Sequence, residues 1–269
     1  MNFPNIDVII PCFNAIATLE RTLISVINQA NLGKIWLIDD CSTDQTYEYM
    51  QLWARSYPDK IRVEKMPQNS GVAKTRNWGA LQSEAEFIAF LDADDAYEVG
   101  ALEVASSVFH FRPEVNVVRL ALKPINLAER YAQHPNFAYA WRHMEMTCGG
   151  NTVFRRSFFL ACGGFPQHQL FRELGGEDGA LGIATTKVGV VATLFNDIGV
   201  LHYCREGMHA QRLLDAILFN QRSSQITEEK IAYADQVTEN ICQQIKQLKQ
   251  SLNSEDIGIR PLQIERGNL

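Results

Sequence analysis

Short apolar runs alternate with segments of helical periodicity through the first half of this chain. Four runs are short enough to be buried strands: residues 8–10, 35–38, 61–64 and 87–91. Segments with apolar residues at helical spacing lie between them: 17–29, 46–56 and 72–82. This alternation predicts an α/β fold with a mostly parallel, Rossmann-like central sheet and helices on both faces.

The second half of the chain has a less regular pattern. Its apolar runs predict two further strands, at 116–122 and 188–193. Two further helices are predicted at 154–161 and 178–186. The aromatic-rich segment 126–146 has no clear periodicity and receives no assignment. Residues 227–252 are polar with one apolar stripe at helical spacing, which predicts a terminal helix docked on the domain or on a partner.

The composition excludes several broad classes of function. The 269 residues carry a formal net charge of −6, and an anionic surface repels the phosphates of nucleic acids. Residues 1–7 are polar and lack an apolar signal stretch, and no run of about 18 apolar residues occurs. We therefore expect neither a signal segment nor a transmembrane segment, while peripheral membrane attachment stays open. None of the six cysteines forms a C-x-x-C pair. We therefore expect neither a structural zinc site nor a disulfide framework. We expect a cytoplasmic location, where cysteines stay reduced.

Polar residues directly follow three of the predicted strands. The segments 11–14, 39–44 and 92–95 each come immediately after an apolar run, and the last two are rich in aspartate. In open α/β sheets the carboxyl ends of parallel strands meet at one edge, where ligands bind. Turns and helix caps explain any one segment alone. They do not explain three together, because the two aspartate-rich segments would crowd like charges at this edge unless a positive group lies among them. The three segments therefore predict a ligand site that includes a cation.

The Asp92-Ala93-Asp94 sequence indicates which cation to expect. In an extended stretch residues i and i+2 point to the same side, so two carboxylates can face one ion. Mg²⁺ and Mn²⁺ prefer oxygen ligands and often bridge a protein carboxylate to substrate phosphates. The pair therefore predicts a divalent cation, Mn²⁺ or Mg²⁺. Asp95 either joins this group or caps a helix that begins at Ala96.

Several motifs occur in the order and approximate spacing of one enzyme family. They are VIIPCFN (8–14), DDCSTDQT (39–46), NSG (69–71), alanine 73 with RNWG (76–79), FLDADD (90–95), GGF (163–165) and GED (176–178). On these motifs, residues 5–205 resemble the family 2 glycosyltransferases. The resemblance implies a GT-A fold, a nucleoside-diphosphate-sugar donor and inversion at the anomeric carbon. We accordingly divide the chain into a donor-binding half (1–115), an acceptor-binding and catalytic half of the same domain (116–222) and a C-terminal helical tail (223–269).

The resemblance also implies roles in binding the nucleotide. Asp40 is expected to accept a hydrogen bond from the base, as a uracil N–H would offer. Arg76, with Lys74 nearby, is expected to contact the pyrophosphate or to anchor its loop, and Asp92 is expected to lie near the ribose. The complete set of implied nucleotide-binding residues is Pro11, Phe13, Asn14, Asp40, Lys74, Arg76 and Asp92.

Glu177 and Asp178 match the acidic pair of the family. Inverting transfer needs a base that takes the proton of the acceptor hydroxyl as its oxygen attacks the anomeric carbon, and a nearby carboxylate can do this. Asp178 matches the catalytic aspartate, and Glu177 is expected to orient the acceptor or the loop. Both residues also suit the first turn of a helix, where acidic side chains interact favourably with the dipole.

The resemblance assigns the metal to Asp94, where the ion would stabilise the charge of the departing nucleoside diphosphate. Some relatives have a third metal ligand near the position of His202, and an imidazole suits Mn²⁺ better than Mg²⁺. His209 is the competing candidate. Arg205 or Arg212 could meet the diphosphate or could simply lie on the surface.

The acceptor stays open among a sugar, a lipid-linked molecule and a protein, and so does oligomerisation through the C-terminal helix. The sequence lacks a Q-x-x-R-W motif, which disfavours a processive polysaccharide synthase. Two other functions use similar chemistry. One is a non-catalytic module that binds a nucleotide sugar. The other is a nucleotidyltransferase, for which a glycine-rich basic loop after the first strand is typical, whereas residues 11–14 contain neither glycine nor charge.

Overall fold

The computed structural model describes residues 3–221, 223–252 and 258–261. Nine strands lie within these residues: β1 (Ile6–Cys12), β2 (Leu32–Asp39), β3 (Ile61–Lys65), β4 (Phe87–Phe90), β5 (Ala96–Tyr97), β6 (Val117–Ile125), β7 (Thr152–Arg155), β8 (Val190–Tyr203) and β9 (Gly258–Pro261). The same residues form eleven helices: α1 (Leu19–Ile27), α2 (Thr46–Ser56), α3 (Val72–Gln82), α4 (Ala101–Phe111), α5 (Glu129–Ala132), α6 (Phe137–Thr147), α7 (Arg156–Ala161), α8 (Gln169–Leu174), α9 (Glu177–Val188), α10 (His209–Phe219) and α11 (Glu228–Leu252).

All nine strands belong to one mixed sheet with the order β3-β2-β1-β4-β7-β6-β8-β5, and β9 pairs with β8. The strands β1 to β4 run parallel to one another, and so do β6 and β8. Strand β7 is antiparallel to both of its neighbours, β4 and β6. The predicted α/β class with a mostly parallel sheet is confirmed.

Strand β1 illustrates why helices cover both faces of the sheet. Val8 and Ile10 are fully buried in a core that includes Leu23 of α1. Ile9 is equally buried but belongs to a second core, with Phe90 of β4. Successive strand residues point to opposite faces, so an unbroken apolar run requires apolar cover on each side. Burying each of these side chains stabilises the fold by about 1.5–3 kcal/mol.

Local patterns predicted several elements accurately and misassigned others. Helices α2 and α3 begin and end at the predicted residues. Strand β1 extends past the predicted end at Ile10 and includes Pro11 and Cys12. The predicted helix 154–161 is wrong at its start, because Phe154 lies in β7, opposite Ile88 of β4. A short apolar run fits a buried strand as well as a helix, and here the pairing on both sides decides for the strand.

Segment 126–146 forms α5 and most of α6, and its aromatic residues pack beside the sheet. Tyr131 is fully buried, and its hydroxyl group donates a hydrogen bond of 2.7 Å to Asp215 of α10. Trp141 is buried and packs against Phe137, with ring centroids 5.4 Å apart and the ring planes tilted by 35°. Tyr139 is 64% exposed. The aromatics therefore mainly join α5 and α6 to the core.

The C-terminal tail combines a helix with a strand. Val237, Ile241 and Ile245 of α11 are buried, and α11 packs on α9, as predicted for a helix docked on the domain. Strand β9 was not predicted; it extends the sheet by pairing in parallel with β8. The sheet also continues across the predicted boundary at residue 115, because β4 pairs with β7. The division into donor and acceptor halves stays a prediction.

A bulge in β8 determines which of its residues reach the edge of the sheet. Leu120 of β6 lies opposite Leu194, but the next residue, Ala121, lies opposite Gly199, so residues 195–198 loop out of the pairing. A Cβ atom at Gly199 would lie 2.1 Å from the carbonyl oxygen of Ala121, so only glycine fits there. Within the described residues, no helix is both long and apolar enough to span a bilayer.

Candidate active site

The loops that follow β1, β2 and β4 lie next to one another at one edge of the sheet, as the sequence predicts. Strand β1 is central and parallel to both neighbours, with Cys12 opposite Asp39 and Ile9 opposite Phe90. The polar residues after each strand therefore line one crevice.

Asn14 fastens the loop after β1 to the loop after β2. Its φ angle is 49°, in the left-handed region that asparagine tolerates. Its side-chain oxygen accepts a hydrogen bond of 2.8 Å from the Thr43 N–H, and its own N–H donates to Ser42 Oγ at 3.0 Å. Phe13 is 50% exposed beside it, and Pro11 lies within β1. Phe13 is thus available to stack on a ligand.

Asp40 is buried and holds the loop that begins α3. Its two carboxylate oxygens accept hydrogen bonds from the backbone N–H groups of Ser70 at 2.7 Å and Gly71 at 2.8 Å. Gly71 has a φ angle of 87°, which favours glycine at this position. Each carboxylate oxygen has a second lone pair, so Asp40 can still accept a hydrogen bond from a ligand.

Arg76 and Lys74 point in different directions from α3, because residues two apart do not share a helix face. Arg76 is only 3% exposed. Lys74 is exposed and lines a cleft together with Arg172 of α8 and Glu177. The two side chains therefore differ in exposure, although Glu177 lies in the cleft with Lys74 and also pairs with Arg76.

Arg76 lies at the centre of a buried charge cluster. Its Nη2 donates to Asp92, its Nη1 lies 3.6 Å from Glu177 Oε1, and its guanidinium lies over the ring of Phe165. Burial by itself lowers the pKa of Arg76, but the charges of Asp92, Glu177 and Asp178 outweigh this effect and raise it. The guanidinium is therefore the positive group that the crowded carboxylates required.

Gly149 and Gly150 make room for this cluster, a role that the sequence did not reveal beyond a turn. A Cβ atom at Gly149 would lie 2.8 Å from Arg76 Nη1 and 3.3 Å from the Cβ atom of Asp178. A Cβ atom at Gly150 would lie 2.9 Å from Asp92 Oδ2. The paired glycines were the available signal, because adjacent glycines often mark a close approach of the backbone.

Asp178 lies in the first turn of α9 with both oxygens held by the backbone. Oδ1 accepts from the Gly179 N–H at 2.8 Å, and Oδ2 accepts from the Gly149 N–H at 3.1 Å. Burial raises the pKa of Asp178, although Arg76 and the two N–H groups oppose the shift. Burial and the neighbouring charge of Asp178 raise the pKa of Glu177 to about 7. One proton is therefore readily held by this pair near neutral pH.

The acidic loop after β4 forms a turn, so the prediction of an extended stretch is wrong. The Asp95 N–H donates to the Asp92 carbonyl at 3.1 Å, which closes the turn. The carboxylate of Asp92 pairs with Arg76, whereas that of Asp94 accepts from Arg205 Nη2 at 3.1 Å. The two carboxylates thus face different positive groups.

Asp95 is fully buried and binds the end of β8. One of its oxygens lies 2.8 Å from His202 Nδ1, and the other accepts from the Tyr203 N–H at 3.0 Å. The expectation that Asp95 could cap a helix is wrong, because Ala96 begins β5. When Nδ1–H donates to a carboxylate, the Nε2 lone pair of a neutral histidine is left to bind a ligand.

His202 and Asp94 are the residues that would hold a cation whose other ligands come from a substrate. Among the described residues, no three His, Cys, Asp or Glu side chains are arranged to hold a metal. His202 Nε2, however, is buried without a hydrogen-bond partner, as a metal ligand would be. Mn²⁺ or Mg²⁺ would obtain further oxygens from a diphosphate. His209 begins α10 with its side chain outside the described part, and Arg212 lies on the same helix.

The fold is that of the GT-A glycosyltransferases. The crystal structure of residues 1–349 of Staphylococcus aureus TarS in complex with UDP-GlcNAc superposes with a TM-score of 0.58 and 20% identity, over 93% of this chain and 76% of that one. A structure of GalNAc-T7 with UDP, GalNAc and Mn²⁺ has a TM-score of 0.61 and 18% identity, over 80% of this chain and 48% of the other.

Residues 7–163, more than half of the chain, match Glycosyl transferase family 2, and the chain belongs to this family. The resemblance recognised from the motifs is confirmed. The chain is 35% identical over 101 residues to Bacillus subtilis TuaG, whose name assigns it provisionally to teichuronic acid biosynthesis. It is 36% identical over 102 residues to the Staphylococcus aureus poly(ribitol-phosphate) β-N-acetylglucosaminyltransferase TarP. The alignments cover 37% and 36% of this chain, and 40% and 31% of those proteins, less than half the length of either.

Proposed function

We propose that this chain is an inverting glycosyltransferase that moves a sugar from a UDP-sugar to an acceptor hydroxyl, with Asp178 as the general base. The observation that carries the proposal is the position of Asp178. Its carboxylate is held by backbone N–H groups beside Glu177 and Arg76, and its pKa is raised. A base is most effective when its pKa approaches the working pH, which this environment favours.

The nucleotide would occupy the crevice after β1 and β2. Asp40 accepts the base N–H through a remaining lone pair, and Phe13 supplies an exposed ring beside it. Asn14 keeps the two loops together. Asp92 meets the ribose while its other contact, Arg76, neutralises it. The UDP-GlcNAc in the TarS crystal structure supports a uridine nucleotide as the first donor to test.

In the chemical step the acceptor oxygen attacks the anomeric carbon and its proton passes to Asp178. The bond from the anomeric carbon to the diphosphate oxygen breaks, and the electron pair leaves with the nucleoside diphosphate. A divalent cation near Asp94 and His202 would stabilise the charge that develops on this leaving group. Asp95 orients the His202 ring through its contact with Nδ1. Glu177 retains a proton more readily than an ordinary glutamate, which suits a hydrogen bond to the acceptor.

Product analysis with a panel of UDP-sugars tests the proposed function. With Mn²⁺ and a panel of acceptor hydroxyls, we expect UDP release that depends on the acceptor, with the product sugar inverted at its anomeric carbon. The panel should include poly(ribitol phosphate), the acceptor named for TarP. Donor binding without transfer to any acceptor would favour a non-catalytic module. Release of pyrophosphate from UTP and a sugar phosphate would favour a nucleotidyltransferase.

The transfer rate is expected to rise as the pH increases from acidic values, because the pKa of the proposed base is raised. Asp178 must be ionised to take a proton. Burial and the charge of Asp92 oppose this ionisation, and the charges of Asp178 and Glu177, whose own pKa is about 7, repel each other when both carboxyls are ionised. Because Glu177→Gln removes one negative charge, Asp178 should ionise at lower pH in this variant, and the acidic limb should shift downward. Steady-state rates from pH 5 to 9 measure this shift.

The exposed Asp235 of α11 provides the control for the pH profile. Asp235→Asn removes a carboxylate from the surface and should leave the profile unchanged. A Glu177→Gln profile that coincides with the wild-type profile, or moves to higher pH, contradicts the assignment.

A further inference from the structure

Side chains of α1, and of Thr18 directly before it, bind the backbone of the acidic loop that follows β4. Three successive carbonyl groups, those of residues 93–95, accept hydrogen bonds from one face of the helix. Thr18 donates to the first carbonyl at 2.8 Å. Thr22, whose hydroxyl has a single proton, donates to the third at 2.7 Å, and its oxygen also lies 2.9 Å from the first. Arg21 donates to the middle carbonyl, that of Asp94, at 2.6 Å. Residues three and four apart share a helix face, so these donors act together.

Arg21 also contacts the end of β8. Its guanidinium lies over the ring of Tyr203, 3.5 Å from the centroid. The Tyr203 N–H donates to Asp95, and the preceding residue, His202, contacts the other oxygen of the same carboxylate. Arg21 Nε is buried without a hydrogen-bond partner, so the stack and the bond to Asp94 determine where the guanidinium lies. Arg21 therefore bridges the two segments that carry Asp94 and His202.

We propose that Arg21 is a positioning residue that holds Asp94 and His202 at the separation a divalent cation requires. The inference rests on the proposed metal-assisted function. Arg21 binds the backbone carbonyl of Asp94 and the ring face of Tyr203, so it orders both segments that carry the proposed metal ligands. These contacts do not occupy the Asp94 carboxylate or His202 Nε2. Residues that orient metal ligands typically alter metal affinity 10–100-fold when they are replaced.

The sign of the effect separates positioning from simple electrostatics. A positive charge near a cation site repels the cation, so on Coulombic grounds the loss of any nearby arginine should tighten metal binding. Arg205 provides this comparison, because it pairs with the Asp94 carboxylate itself at 3.1 Å. Arg205→Ala frees that carboxylate and should tighten Mn²⁺ binding by the nucleotide-free protein. Arg21→Ala should weaken it, although it also removes one positive charge.

Titration of the full chain with Mn²⁺, followed by the electron paramagnetic resonance signal of the free ion, tests the proposal. We expect Arg21→Ala to raise the dissociation constant about tenfold or more, with and without UDP. Arg21→Lys retains the charge but loses the planar stack, so it should give a smaller increase. UDP affinity in the absence of metal should stay at the wild-type value. Arg55→Ala, an exposed change on α2, is the matched control and should bind Mn²⁺ as the wild type does.

Three results would overturn the proposal, and they can be told apart. Wild-type protein that binds Mn²⁺ neither alone nor with UDP overturns the metal-assisted function and the inference together. If the wild type binds Mn²⁺ and Arg21→Ala binds it equally or more tightly, the positioning role alone is overturned. If Arg21→Ala fails to give a cooperative thermal transition, Arg21→Lys decides, and wild-type Mn²⁺ affinity in that variant overturns the proposal.

Discussion

Asp178→Asn is expected to lower the rate of sugar transfer by about 10²–10⁴-fold while donor binding survives. General-base catalysis typically contributes an acceleration of this size, and an amide of the same shape takes no proton. Asparagine retains one oxygen that can accept from the Gly179 or Gly149 N–H, so the start of α9 should keep its conformation. Turnover with a UDP-sugar and calorimetric titration with UDP measure the two quantities separately.

Asp235→Asn is the matched control, because it makes the same chemical change on the exposed side of α11. It should transfer sugar at the wild-type rate. Asp178→Asn with full transfer activity would remove Asp178 from the role of base. Loss of UDP binding in the same variant would indicate that Asp178 mainly supports the donor pocket.

Arg76→Met is expected to lower the free energy of unfolding by about 3–5 kcal/mol. Removing one partner of a buried ion pair leaves the other charges uncompensated, and Arg76 faces both Asp92 and Glu177. Methionine retains much of the apolar volume, so the change mainly removes the charge. Urea denaturation at pH 8 measures the effect. The deficit should shrink below about pH 6, because the carboxylates then take up protons in the folded variant.

Arg55→Met on the surface of α2 controls for the loss of an arginine, and its stability should stay within about 0.5 kcal/mol of the wild type. Adding Glu177→Gln to Arg76→Met should restore part of the lost stability, because one of the unpaired charges is removed. An Arg76→Met variant as stable as the wild type at pH 8 would mean that water or a rearranged side chain compensates the carboxylates.

Local sequence patterns determined much of the first half of the fold. The structure has β2, α2 and α3 where the sequence shows an apolar run at 35–38 and helical spacing at 46–56 and 72–82. Each of these patterns is local, because it involves only residues that are close in the sequence. Segment 126–146 was not predictable in this way. Tyr131 and Trp141 contact α10 and β6, which lie far from them in sequence, so no local periodicity describes their burial.

The motifs also identified the residues of the site, but not their contacts. Asp92 and Asp94 are two residues apart and were expected to face one ion. In the structure they bind Arg76 and Arg205, which lie 16 residues before and 111 residues after them respectively. The contacts of Arg21 with Asp94 and Tyr203 were not predictable, because Thr18, Arg21 and Thr22 form an ordinary polar helix face when their neighbours are unknown.

The amino-acid sequence by itself specifies the class of fold, the order of strands and helices in the first half, and the family to which the chain belongs. Apolar spacing and short motifs each lie within a few consecutive residues, so they can be recognised in the sequence alone. Which charges neutralise one another was decided by the tertiary structure alone. Asp95 meets His202 across 107 residues because β5 pairs with β8 and the bulge at residues 195–198 sets the register of β8. Electrostatic contacts depend on the distance between charges in space. The order of the strands in the sheet determines which residues, distant in the sequence, lie close enough to interact.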